Sequence, residues 1–277
     1  GDALWDQIPL VRALQADETP VKVLKPEKKA YMWLYHSYMP DKRFVIFDFS
    51  LTRAASNVNE RLKNYEGILQ TDGYSGYNTQ RARKNIISLG CWDHARRKFT
   101  DVVKAAGNNK SGKAGKVLEK IAKLYEIERT LKGCSVDERK QIRQEQSKPK
   151  LEALESFLNK INPPPKSLLA TAVAYCRNQW ADLTRYVEHG EALISNAPAE
   201  NLVRPFAVGR RNWLFVANEQ SAKKAALLYS LIQSCELNKI DPRKYLTYVL
   251  NQVHRMRRKE VDPATLLPHT IDKSLLS

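Results

Sequence analysis

The first fifty residues carry three short runs rich in aromatic and β-branched side chains, at 11–17, 31–35 and 44–49, with the turn-like Met39-Pro40-Asp41 between the last two. Such runs read as strands, and their short connections predict an antiparallel meander. The period then changes. Val58, Leu62 and Tyr65 fall near one face of a helix over 54–65, Gly67 ends it, and Ile68-Leu69-Gln70-Thr71 forms a short fourth strand before the turn Asp72-Gly73. A fifth strand over 85–89 completes the β-rich part. From Cys91 onward helical spacing dominates, with helices predicted over 93–106, 116–131, 137–161 and 167–187, one from near Asn196, then 222–237 and 242–253. Their punctuation is the loop Gly107-Asn108-Asn109-Lys110-Ser111-Gly112 and the rigid break Asn162-Pro163-Pro164-Pro165. Three strands, a helix, a fourth strand, a helical arm and a return helix predict a mixed α/β fold. The division expected is a first core part over 1–92, a basic helical insertion over 93–190, returning core helices over 191–253 and a loosely held tail over 254–277.

Charge adds a preference for a partner. The 277 residues hold 46 Lys+Arg against 30 Asp+Glu, a formal net charge of +16. Between Arg81 and Lys150 stand 19 Lys and Arg against 8 Asp and Glu, so most of the excess sits in one quarter of the chain. A localised positive excess is the footprint of a phosphate-rich partner, because displaced counterions drive such binding; its bland counterpart is a solvated helical face. A membrane surface fits less well, since no Leu-rich or aromatic face opposes these lysines. With 43% hydrophobic residues the chain can bury a core, and no run reaches the ~18 apolar residues of a membrane span. Cys91, Cys134, Cys176 and Cys235 stand far apart, without the paired spacing of zinc ribbons or small disulfide scaffolds, which suits a reducing, intracellular setting.

Three acids draw attention by their places in this pattern. Asp17 is expected at the end of the first strand and Asp72 at the end of the fourth. On neighbouring strands the two carboxylates would project from one sheet edge, where like charges that close call for a cation between them. Taken alone, an Asp-Gly is ordinarily a turn. Glu200 falls in the first turn of the helix after Asn196-Ala197-Pro198, where a carboxylate also simply complements the helix dipole. Arg204 and Arg211 share its face if the helix survives Pro205, and with Arg210 they suit a phosphodiester backbone.

At these residues the sequence resembles the bacterial insertion-sequence transposases of the IS-sixty-six family. The matching stretches are Ala16-Asp17-Glu18-Thr19-Pro20-Val21, Leu69-Gln70-Thr71-Asp72-Gly73-Tyr74-Ser75-Gly76-Tyr77 and Gly90-Cys91-Trp92-Asp93-His94-Ala95-Arg96-Arg97-Lys98-Phe99. Ala199-Glu200, Arg204-Pro205 and Gly209-Arg210-Arg211-Asn212-Trp213-Leu214-Phe215 follow in the family's order, so the resemblance runs from about residue 11 to about 250. It implies a ribonuclease-H-like core, a five-stranded mixed sheet flanked by helices, with the all-helical insertion lying between the second and third acids. The family's acidic triad falls on Asp17, Asp72 and Glu200. Cys91 and His94 match its C-x-x-H element, read here as packing or support because no second ligand pair lies nearby in sequence. Two departures stand out: Asn201 where the family usually has Arg, and Gln15 where a His commonly precedes the first motif. The family's N-terminal helical, DNA-binding and Cys-rich zinc segments lie outside this sequence.

The resemblance implies metal-dependent cleavage at transposon ends followed by attack of the freed 3′-OH on target DNA. Two Mg²⁺ ions, with Mn²⁺ as substitute, would be held by Asp17, Asp72 and Glu200. Arg96, Arg97, Lys98, Arg204, Arg210 and Arg211 would hold DNA, while Trp92 or Trp213 would either stack on an unpaired base or pack in the core. Implied partners are transposon-end and target DNA, further copies of the chain and accessory proteins of the same element, with no membrane, in the bacterial cytoplasm at the nucleoid. Two readings compete. One is a ribonuclease-H-like nuclease or resolvase that nicks without joining; the other is a catalytically silent DNA-binding derivative.

Overall fold

The structure is a computed structural model that describes residues 1–25 and 27–276; of residues 211–213 only the backbone is described. The strands are β1 (Ala13–Lys25), β2 (Glu27–Ser37), β3 (Phe44–Ser50), β4 (Gly67–Gln70), β5 (Ile86–Leu89) and β6 (Val216–Asn218). The helices are α1 (Asp2–Trp5), α2 (Ala55–Arg61), α3 (Asn78–Arg81), α4 (Trp92–Ala105), α5 (Lys113–Thr130), α6 (Val136–Ile142) and α7 (Lys148–Asn159). They continue with α8 (Leu168–Asn178), α9 (Trp180–Thr184), α10 (Ala197–Trp213), α11 (Glu219–Leu237) and α12 (Pro242–Arg257). A π-helical turn, Arg143–Ser147, joins α6 to α7.

The chain divides into two compact units: residues 1–69, 74–87 and 198–277, and residues 70–73 and 88–197. The first is built on the sheet. Its order is β3-β2-β1-β4-β5, with β6 pairing β1 in parallel while β1, β2 and β3 run antiparallel. The expected meander is present, but the first two strands are far longer than 11–17 and 31–35. Beyond Asp17 the alternation continues through Val21 and Val23, which are buried, and Lys22 and Lys25, which are not, so pairing runs to Leu24↔Glu27. The sheet also has six strands where five were expected. β2 takes one edge of the long β1, and β6 pairs the far end of the other at Val23↔Val216 and Lys25↔Asn218, through three residues too short to show a pattern of their own.

Both faces of this sheet are covered, and the period of two decides which residue goes where. Leu14, Ala16, Trp33, Tyr35, Phe44 and Ile46 turn to one side, against Leu4 and Ile8 from the N-terminal turns and Val58 from α2. Val21, Val23, Met32, Leu34, Val45, Phe47 and Phe49 turn to the other, against Ala199, Val203 and Phe206 of α10 and Ala222 and Ala226 of α11. At the edge of β3, the Ser230 hydroxyl accepts the Phe47 N–H at 2.8 Å and the Ser234 hydroxyl accepts the Val45 N–H at 3.0 Å. A helix thus closes a strand edge that would otherwise offer free amides.

The expected loose tail is instead packed. Leu266, Ile271 and Leu276 are buried with Cys235, Ile240 and Tyr245, and the Tyr245 hydroxyl donates to the Leu266 carbonyl at 2.8 Å. Enough apolar side chains recur in 261–276 to hold the segment against α11 and α12 despite its turn-rich composition.

The second unit is helical, built from α4 to α9. Its densest polar contact is Arg143, fully buried in the π turn. The guanidinium makes paired bonds to Glu128 at 2.8 and 2.6 Å and donates to the carbonyls of His189 at 2.8 Å and Ala192 at 2.9 Å. The long helix expected over 137–161 is therefore interrupted where its one buried cation sits, and the helix expected over 167–187 breaks at Gln179.

Candidate active site

Asp17 lies inside β1 rather than at its end, the fifth residue of thirteen, and is half-buried. One carboxylate oxygen accepts the N–H of Glu18 at 2.9 Å. By alternation Gln15, Asp17 and Thr19 share the sheet face on which Val21 and Val23 meet α10 and α11.

Glu200 stands in the first turn of α10, half-buried, and the helix does run through Pro205 to Trp213. The buried Gln15 fixes that first turn: its side-chain oxygen accepts the Ala199 N–H at 3.2 Å. Four N–H groups are unsatisfied at any helix start, and here a strand side chain two residues from Asp17 takes one, a residue away from Glu200. The strand bearing Asp17 and the turn bearing Glu200 are joined by this bond. In the sequence Gln15 is legible only as a departure from a family pattern; a buried amide in a strand, which needs a partner, is the signal that marks it.

Arg210 is committed within the same unit. Its guanidinium donates to the Thr19 hydroxyl at 3.1 Å and to the Pro20 carbonyl, bracing α10 against β1. It also lines, with Lys22, Lys28 and Lys29, an open groove of about 460 Å³. Arg204 and Asn201 are exposed on α10, and the side chains of Arg211 and Trp213 lie outside the described residues.

Asp72 belongs to the helical unit. It follows β4 by two residues, is half-buried, and its carbonyl accepts the Tyr175 hydroxyl at 2.7 Å. Gly73 has φ +89, and a Cβ there would come within 3.1 Å of the Gln179 side chain, so only glycine makes this turn without strain. Nearby, the Gln70 side chain donates to the carbonyls of Gly90 at 3.0 Å and Leu193 at 2.8 Å.

Cys91 is buried, and its sulfur accepts the Asn196 N–H at 3.2 Å; His94 is half-buried. Arg96 and Arg97 are exposed on α4, Arg96 near the Tyr125 ring (5.9 Å) and Lys98 over that of Tyr175 (4.8 Å). Trp92 cannot serve as a base-stacking platform. It is fully buried, its ring N–H donates to the Leu183 carbonyl at 2.7 Å, and it packs edge-on to Trp180.

Comparison with known proteins agrees with the family resemblance. Residues 2–224 match the model of the Transposase IS66 family, and residues 230–269 match the IS66 C-terminal element. The chain belongs to the IS66 transposase family. It is 34% identical over 213 residues to uncharacterized protein y4jD of Sinorhizobium fredii, covering 74% of this chain and 41% of that protein. Against y4hP of the same organism it is 30% identical, covering 87% and 48%, and against y4qI 31%, covering 91% and 50%. The chain thus spans half or less of the length of these curated relatives. No solved structure matches. Among the described residues no helix is long and apolar enough to cross a membrane.

Proposed function

We propose that this chain is the catalytic part of a DDE-type transposase with a ribonuclease-H-like core, in which Asp17, Asp72 and Glu200 bind divalent metal and act on the phosphodiesters of transposon-end and target DNA. The observation that carries this reading is the match of residues 2–224 to the family; the triad assignment to Asp17, Asp72 and Glu200 rests on the sequence resemblance. The donor chemistry supports it. All three are half-buried carboxylates, hard oxygen donors that suit Mg²⁺ and, not being sealed in the core, leave room for water and phosphate oxygens. Two bound ions would supply activation of the attacking oxygen and stabilisation of the leaving one.

The chain's own groups have separable tasks. Gln15 and Arg210 brace α10 against β1, so that Asp17 and Glu200 keep a fixed relation. Gly73 sets the backbone of the Asp72 turn. Arg96 and Arg97, exposed on the helix that opens the basic segment, hold the DNA backbone as point contacts that carry no sequence information. Further copies of the chain, needed to act on two ends, complete the assembly.

The test is cleavage and joining of labelled transposon-end DNA by the full-length protein in Mg²⁺ or Mn²⁺. Asp17→Asn, Asp72→Asn and Glu200→Gln should each abolish both steps. Undiminished activity in any one removes that residue from the site. Nicking without joining by the parent protein selects a nuclease or resolvase, and triad-independent DNA binding without metal affinity selects a silent derivative.

A further inference from the structure

Next to Asp17, on the opposite face of β1, stands a carboxylate that the triad does not use. The Glu18 side chain is 2% exposed. Arg53 approaches it with both Nε, at 2.9 Å, and Nη2, and the Tyr77 hydroxyl donates to its second oxygen at 2.7 Å. The Arg53 guanidinium lies 3.7 Å from the centroid of the Tyr74 ring, and the Tyr74 hydroxyl donates to the Arg53 carbonyl at 2.8 Å. Tyr74 and Tyr77 meet edge to face, and Tyr77 meets Trp33 of β2 in the same way.

Two features of this group point beyond stability. An ion pair whose cation is 41% exposed contributes little net stability, because solvent screens the attraction while the buried carboxylate still bears its desolvation cost. What it does supply is fixed geometry, and the geometry here concerns the proposed site on both sides. The N–H of Glu18 itself bonds the Asp17 carboxylate, so an anchored Glu18 side chain holds the amide that orients that carboxylate. Tyr74 and Tyr77 lie two and five residues after Asp72, so the same anchor fastens the chain leaving the second acid.

We infer that Glu18 is a positioning residue: with Arg53, Tyr74 and Tyr77 it forms a clasp that orients the Asp17 carboxylate and tethers the segment following Asp72. The inference rests on the metal-binding reading above. Groups that hold ligands from behind typically change metal affinity about 10–100-fold when removed.

The experiment titrates Mn²⁺ into the full-length protein by electron paramagnetic resonance, without DNA, for the parent, Glu18→Gln, Tyr77→Phe and Asp17→Asn, with a thermal melt of each. Glu18→Gln and Tyr77→Phe should weaken Mn²⁺ binding roughly tenfold or more at temperatures where they remain folded. In a cleavage assay the Mn²⁺ needed for half-maximal rate should rise, and the rate at saturating Mn²⁺ should return towards that of the parent. Tyr77→Phe keeps the ring and loses only the hydroxyl, so it carries the test if Glu18→Gln fails to fold. Lowered melting temperatures with Mn²⁺ curves superimposable on the parent's, while Asp17→Asn loses binding, would leave the clasp a purely structural feature. Parent-like Mn²⁺ binding by Asp17→Asn would instead overturn the site itself, and the clasp's role with it.

Discussion

Arg143 is the side chain whose removal should cost the helical unit most. It has no exposed surface and is bonded to Glu128 and to carbonyls of the 186–192 turn. Arg143→Ala leaves a carboxylate only 11% exposed without its cation and several carbonyls without donors, so a loss of about 3–5 kcal/mol is expected in urea denaturation. The Lys22–Glu27 pair, with side chains 56% and 73% exposed, is the contrast: Lys22→Ala should change stability by less than about 1 kcal/mol in the same assay. A second residue-scale effect concerns pH. Burial lowers the His36 pKa to about 4, while its Nδ1 lies 3.0 Å from the Phe44 carbonyl oxygen. Protonation therefore favours the unfolded chain, whose His titrates near 6.5. Stability from this group is complete above pH 6.5 and declines as pH falls towards 4, by up to about 1.4 kcal/mol per pH unit. The decline should flatten in His36→Gln, read from melting temperatures at pH 7 and pH 5.

At the scale of elements, the seal between α11 and β3 makes a specific prediction. Ser230→Ala and Ser234→Ala each leave a β3 amide without its acceptor, a loss of about 1–3 kcal/mol. Hydrogen exchange at the Phe47 amide should accelerate in Ser230→Ala while that at Val45 stays protected. No pattern in the sequence announces this contact, because serines on an otherwise mixed helix face look like solvent-exposed residues. The helices from 92 to 159 were legible to within a few residues, since their apolar positions recur at helical spacing and Gly and Pro mark the breaks. β1 was not. Its extension past Asp17 runs through Glu18, Thr19 and Pro20, beyond the strand end expected at Asp17; only pairing with β2 shows that Pro20 lies opposite Tyr31 within the ladder.

For the molecule as a whole, the tail is the clearest case. Deleting residues 259–277 would expose Tyr245, Ile240 and Cys235 and remove Leu266, Ile271 and Leu276 from the core they share. It would also remove Leu267 from the cluster beneath the sheet and break the contact of His269 with Gln7, at 3.2 Å. At roughly 1.5–3 kcal/mol per buried aliphatic side chain, the truncated chain should melt well below the intact one by calorimetry. A loose tail would leave the melting temperature unchanged.

Period and punctuation determined the class of this protein. Alternation made the sheet, helical recurrence made the arm, and the ordered motifs around Asp17, Asp72 and Glu200 carried the family, because each depends on neighbours a few positions apart. Tertiary structure alone decided that Gln15 would grip the turn of Glu200, that Glu18 would be buried against Arg53 and Tyr77, and that Trp92 would be lost to the core. Those outcomes join residues from 35 to 184 positions apart. Burial forces every polar group to find a partner, and only the folded chain determines which partner comes within reach.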